Sequence, residues 1–209
     1  MGACHYITTQ LDGFIRVNET SHLDLIELGD QNIVYPTGPE LKVRDKYSKY
    51  FKSWRTLDLH NVPGVEIYDL SINHNESGKA DIITNFGTSE HVEYEEGQYN
   101  CWLNIHNLLK KDGIMIHALP PFGYWPDHCR YYCDEDFFKS FEWIGYKIRL
   151  MEMMYNKLLY CVLQKETQTD FFTMQRFLKK LYFVNFSTND ICPNTNDPKN
   201  LLTTKNSNG

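Results

Sequence analysis

Apolar positions along the chain fall into two spacings. Short apolar runs closed by glycine, proline or aspartate read as buried strands, and apolar residues three or four apart read as helices. The strand-like runs are 23–28, closed by Gly29 and Asp30; 55–60; 65–70, after the Pro63-Gly64 turn; 80–86, ended by Gly87-Thr88; and 113–119, broken by Pro120-Pro121. Helical spacing joins Val43, Tyr47, Tyr50, Phe51 and Trp54, with Pro39 in the first turn and Thr37 and Glu40 at capping-box separation. Lys42, Arg44, Lys46, Lys49 and Lys52 form its solvated side. The same spacing returns in Cys101, Trp102, Ile105, Leu108 and Leu109, between Gln98 and Lys110. There Lys110-Lys111-Asp112-Gly113 reads as a basic last turn with a glycine stop. Asp134 caps a further helix carrying Phe137, Phe138 and Phe141, and Gly145 ends it. Runs 146–154 and 157–163 flank Tyr155-Asn156 and read as a hairpin.

Strands alternating with helices imply parallel pairing through right-handed crossovers. The expected fold class is therefore α/β, a Rossmann-like three-layer sandwich whose mostly parallel sheet is closed by a C-terminal antiparallel hairpin. Residues 1–22 form an N-terminal segment that helps cover the site, and 23–164 form the main domain. Residues 165–209 supply a helix marked by Phe171, Met174, Leu178 and Leu181, then a tail rich in Asn, Thr and Ser that reads as disordered. A length of 209 residues suits one domain plus an appendage.

Charge and cysteine content narrow the function classes. Lys and Arg total 21 against 27 Asp and Glu, a net charge of -6, which argues against a nucleic-acid partner. No run approaches the roughly 18 apolar residues of a membrane span, so no membrane association is expected. The six cysteines are widely spaced in a chain too large to need staples; reduced thiols and a cytoplasmic location follow. Oligomeric state is open.

In an open doubly wound sheet a ligand lies outside the carboxyl ends of the strands, where the strand order reverses. The residues ending successive runs should converge there: Glu27 and Gly29 with Asp30, then Asp58, Asp69, Asn85 with Gly87, and His117. A glycine after the first strand lets a ligand approach the backbone, and a carboxylate after the second can accept both hydroxyls of a ribose. Each residue also has an ordinary role as a strand-end turn former, a loop-amide acceptor or a cap.

Over residues 23–164 the pattern resembles the class I S-adenosylmethionine-dependent methyltransferases. Ile26-Glu27-Leu28-Gly29 is similar to the start of their first motif, Leu57-Asp58 to their ribose-binding position and Tyr68-Asp69-Leu70 to their adenine-contacting position. The segment from Asn85 to Val92, with Glu90-His91-Val92, resembles the stretch after their fourth strand. Leu108 to Gly113 resembles the turn before their fifth. The resemblance implies S-adenosylmethionine as cofactor, held by Glu27, Gly29, Asp58, Asp69, Leu70, Asn85 and Gly87. The chain departs from the family where the glycine-rich loop is reduced to Glu27-x-Gly29, with Gln31 and Ile33 in place of further glycines, so the amino-acid end of the cofactor has no assigned partner.

His91 and His128 are the candidate catalytic residues, with His117 a weaker third, because imidazole titrates near neutrality and all three are expected near the rim. The aromatic loop from Phe122 to Tyr132 is placed to enclose an acceptor, and Glu90, Glu93, Glu95 and Glu96 read as a solvated acidic face. His117, His128, Cys129 and Cys133 lack paired Cys-x-x-Cys spacing, so no metal is expected. The function expected is methyl transfer from S-adenosylmethionine to a small-molecule acceptor. The alternative is a non-catalytic binding or assembly module that retains the fold, favoured by the eroded glycine motif. A nicotinamide dehydrogenase is disfavoured because Gly-x-Gly-x-x-Gly is absent.

Overall fold

The computed structural model describes residues 5–33, 41–125, 127–154 and 157–183. Seven strands form the main sheet: β1 (Asp24–Leu28), β2 (Ser53–Asp58), β3 (Glu66–Ile67), β4 (Ala80–Asn85), β5 (Leu109–Leu119), β6 (Tyr146–Met153) and β7 (Leu159–Lys165). Their spatial order is β3-β2-β1-β4-β5-β7-β6. Pairings from β3 across to β5 are parallel, and β7 alone runs antiparallel to both its neighbours, closing the sheet with the expected hairpin. The chain builds outward from β1 through β2 and β3, then crosses back to β4, so the order reverses between β1 and β4.

The strands are apolar on both faces because both faces are covered. Leu25, Ile82 and Ile116 point into one layer with Ile7 and Leu11 of α1 (His5–Val17) and Val43 and Tyr47 of α2 (Val43–Tyr47). Ile26, Ile83 and Met115 point into the other, under α3 (Glu95–Leu108), α4 (Glu135–Lys139) and α5 (Met174–Leu178). Trp102 lies at the centre of that second layer, fully buried, with Phe137, Phe138 and Phe141 presenting ring edges to it. Asp134 caps α4 as expected, its Oδ1 accepting the Phe137 N–H at 2.8 Å, and Gly145 stops the following turn at φ +80°.

Several local expectations are corrected. The helix expected across Val43 to Trp54 lasts five residues plus a 3-10 turn, Ser48–Tyr50, because β2 begins at Ser53 in register with Asp24. Phe51 and Trp54 still pack together, with ring centroids 5.4 Å apart, but from a loop and a strand; helical spacing carried on because both feed the same apolar layer. The lysine-rich side is not simply solvated: Lys42 and Arg44 pair with Asp30, Lys46 with Asp12 and Lys52 with Asp24. The run 65–70 contributes only Glu66–Ile67 to the sheet, and α5 is a single short turn with Phe177 as its buried residue. Thr37, Pro39 and Glu40, the turn residues Tyr155 and Asn156, and the tail from residue 184 lie outside the described residues.

Gly113 is not a helix stop. α3 passes into β5 at Leu109 without a connecting loop, and the left-handed residue is Asp112, at φ +65°. Gly113 is required for a different reason: a Cβ there would lie 2.9 Å from the Lys110 carbonyl oxygen and 3.0 Å from that of Asp81. Beside it, the Lys110 ammonium reaches Asp24 at 2.8 Å and Asp81 at 2.9 Å, tying the amino end of β5 to β1 and β4. Because backbone cannot yield as a flexible side chain does, Gly113→Ala should lower stability by ~1–3 kcal/mol, read as a fall in the urea midpoint at unchanged slope. A midpoint equal to the wild type's would refute the crowding.

Candidate functional site

The loops leaving β1, β2, β3 and β4 enclose a cavity of about 620 Å³ at the point of strand-order reversal. That volume is within the ~300–1,000 Å³ of ordinary small-molecule sites. Of the residues expected to hold a cofactor, Gly29, Asp58, Asp69, Leu70 and Gly87 line it; Glu27 and Asn85 do not. Of the candidate catalytic residues, His91 lines it and His128 stands behind His91, the two rings 4.7 Å apart and edge-on.

Gly29 and Gly87 both adopt left-handed φ, +75° and +82°, which L side chains rarely reach. A side chain at Gly29 would also collide with the Thr88 hydroxyl and the Gln31 amide. Those two groups are joined above the glycine, Gln31 Nε2 donating to Thr88 Oγ1 at 2.9 Å, while Thr88 Oγ1 donates to the Leu28 carbonyl at 2.8 Å. The close approach that the glycine permits is therefore taken up by the chain's own side chains.

Asp58, the last residue of β2, is held on both oxygens. Oδ2 accepts the Asp30 amide at 2.8 Å; Oδ1 accepts the His60 amide and faces the His60 ring, each at 2.9 Å. Burial pushes the carboxyl's pKa up, but the two amides and the His60 ring outweigh it and the net shift is downward, so the group is an anion at neutral pH. Asp69 forms an Asx turn: its Oδ1 accepts the Ser71 amide at 2.9 Å and the Ser71 hydroxyl at 2.6 Å. Tyr68 beside it stacks on His74 with centroids 3.8 Å apart.

Strand alternation explains the residues that miss the cavity. Glu27 lies inside β1 and turns toward the α1 and α2 layer, where Thr56 Oγ1 donates to its Oε2 at 2.9 Å and Trp54 Nε1 at 3.3 Å. Its complete burial pushes its pKa up to about 8. Asn85 is also fully buried, its amide donating to Ser89 Oγ at 2.7 Å and meeting His117 Nδ1 at 3.1 Å. His117 is packed between Trp102 and Phe138, and burial drives its pKa down to about 3, so it is a neutral core histidine rather than a rim residue.

The aromatic loop closes on itself: Phe122 meets Tyr132 edge-on, and the Tyr132 hydroxyl donates to the Trp125 carbonyl at 2.7 Å. Its aromatic side chains do not line the cavity. Glu90, expected on a solvated face, is buried, and the Nε2 atoms of His91 and His128 each lie 3.7 Å from its Oε1. Burial lowers the His91 pKa, against the pull of Glu90, leaving a neutral imidazole at pH 7. Sequence reasoning passed over Gln31, His60 and Thr88 in the cavity wall. The one available signal was Gln31 standing where a glycine was expected.

No family model matches the chain, and no curated protein matches it by sequence. Solved structures match it in fold. A chain described as an S-adenosylmethionine-dependent methyltransferase from Listeria monocytogenes superposes with a TM-score of 0.54 at 10% identity, over 77% of this chain and 96% of that one. The N-methyltransferase NodS from Bradyrhizobium japonicum, in complex with S-adenosyl-L-homocysteine, gives 0.53 at 9% identity over 78% and 89%. The cyclase SpnF gives 0.52 at 11% identity over 78% and 83%. The sheet is thus that of the class I S-adenosylmethionine-dependent methyltransferases, a fold that also serves a cyclase.

Glu27 gives a pH test of this geometry. Its folded pKa of about 8 is above the ordinary 4.5, so the stability due to its retained proton is complete below about pH 4.5 and is lost as pH climbs through 8. Glu27→Gln should therefore gain stability relative to the wild type between pH 5 and pH 9, by at most about 1.4 kcal/mol per pH unit, measured by denaturant unfolding at each pH. A pH-independent difference would show that the buried carboxyl does not hold its proton.

Proposed function

We propose that the protein is an S-adenosylmethionine-dependent methyltransferase acting on a small-molecule acceptor in the cytoplasm. The observation that carries this reading is that Asp58, at the end of β2, and Asp69, in the loop after β3, line one cavity at the reversal point of the sheet. The residues present suit the adenosine half of the cofactor. A carboxylate has about four acceptor positions, and Asp58 uses three of them internally. The His60 ring is 83% exposed and is cheaply displaced, which would leave room for two ribose hydroxyls. Asp69 engages Ser71 through Oδ1 only, leaving Oδ2 for the amino edge of a purine, while Leu57, Tyr68 and Leu70 supply apolar walls.

The methionine half requires Gln31 to let go of Thr88, at a cost of ~1 kcal/mol for one hydrogen bond. The cofactor would supply a methyl group on a cationic sulfonium, and the acidic balance of the chain, with Glu93 in the cavity wall, suits that charge. His91 lines the same space. No nucleic-acid or membrane partner is part of this reading. The second reading, a non-catalytic module, is favoured by the Gln31–Thr88 bond across Gly29.

Calorimetric titration with S-adenosylmethionine and S-adenosyl-L-homocysteine separates the two. The wild type should bind both, and Asp58→Ala should weaken binding about 30-fold, the equivalent of ~2 kcal/mol for a charge-assisted hydrogen bond. Absence of binding by the wild type would overturn the enzyme reading and favour the module.

A further inference from the structure

Behind the cavity wall the 3-10 turn Ser89–His91 carries Glu90 inward. Its side chain is 1% exposed, and neither carboxylate oxygen has a hydrogen-bond partner among the described residues. A carboxylate buried in that condition is unfavourable unless a cation faces it. The guanidinium near this region, Arg130, pairs instead with Glu93 at 3.5 Å. Among the described residues, what faces Glu90 is imidazole from two sides. His128 Nε2, also without a hydrogen-bond partner among the described residues, and His91 Nε2 each stand 3.7 Å from Oε1.

A gap of 3.7 Å is too long for a hydrogen bond. It is close to the spacing of two donors on one cation: with metal–ligand bonds of about 2.1 Å, tetrahedral donors lie about 3.4 Å apart. One donor atom from each of the three residues falls within 4.8 Å of the other two, so a small inward adjustment brings all three onto one ion.

We propose that Glu90, His91 and His128 form a binding site for a divalent transition-metal cation, held by one carboxylate oxygen and the two Nε2 atoms. Two imidazoles with one carboxylate select Zn²⁺, Co²⁺, Mn²⁺ or Fe²⁺ over Mg²⁺ and Ca²⁺, which prefer all-oxygen shells. Cys129 beside His128 is engaged elsewhere, its Sγ donating to the Tyr131 carbonyl at 3.3 Å.

The turn itself is braced. Asn85 bonds Ser89 through both amide atoms, and Gln98 Nε2 donates to the carbonyls of Ser89 and Val92 at 2.7 Å each. Asn85, which does not reach the cavity, thus positions the residue that anchors the cation. Three protein donors leave coordination positions open, and His91 belongs to the cavity wall, so an oxygen of a molecule in the cavity can complete the shell. This assigns His91 and His128 to ligation in place of the proton transfer read from the sequence. It does not depend on the cofactor reading.

The full chain, stripped with a chelator, is titrated with Zn²⁺ and Co²⁺ by calorimetry and by the visible absorption of bound Co²⁺, with Mg²⁺ as control. Expected are one tight equivalent, a rise in thermal midpoint, and no comparable response to Mg²⁺. Glu90→Gln and His128→Asn should weaken binding by more than the roughly 10 to 100-fold that loss of an outer-shell partner costs, and abolish the Co²⁺ bands. If circular dichroism shows those variants unfolded, His91→Asn decides, since that side chain is 46% exposed and its loss spares the core. At least about tenfold weaker binding in it supports the site. A wild type that binds none of these metals at millimolar concentration, or binding unchanged in the folded variants, overturns it.

Discussion

A strand covered on both faces sends every second side chain into one layer or the other, and only a residue at its last step or in the loop beyond reaches the rim. That constraint sorts the polar residues of this protein. Glu27 lies one step short of the end of β1, and Asn85, although at the final step of β4, is turned into the layer by its bonds to Ser89 and His117, so both are fully buried. Gly29, Asp69 and Gly87 stand past the last paired residue, and Asp58 sits at the final step of its strand, and these form the cavity wall. The cavity, the buried carboxyl of Glu27 and the neutral core histidine His117 are three results of one alternation.

The loop after β4 links the two chemistries of the molecule. Its glycine opens toward the cavity, its threonine holds Gln31, and its next three residues turn a carboxylate away from water toward two imidazoles. One side of His91 faces a space suited to an organic ligand and the other the buried carboxyl of Glu90. Whatever occupies either space changes the surroundings of the same ring.

The alternation of short apolar runs with helical stretches was enough to read the layer architecture and the closing hairpin, because those features depend on burial alone. The order of strand-end residues likewise placed Asp58, Asp69, Gly29 and Gly87 near one another, since topology sets that convergence. Features that depend on tertiary competition were not legible. Phe51 and Trp54 kept helical spacing while pairing with β1 forced extension at Ser53. Gly113 looked like a cap, yet its need comes from the Asp81 backbone, which is distant in sequence. Glu90 sat in a run of acids that suggested solvent, and nothing local indicated that the turn would carry it inward or bring His128 beside it.

The sheet's two borders are built unlike each other. On one side β3 is two residues long and bracketed by the Arg55–Glu66 and Arg55–Glu76 ion pairs. On the other, β6 extends for eight residues, but Lys147, Arg149 and Glu152 interrupt its outer rungs, and Arg149 is turned back onto Gln164 and Glu166. A foreign chain seeking to add a rung finds too short a template at the first border and charge at the second. Among the described residues no helix covers either edge, so length on one side and charge on the other are what oppose strand-to-strand self-association.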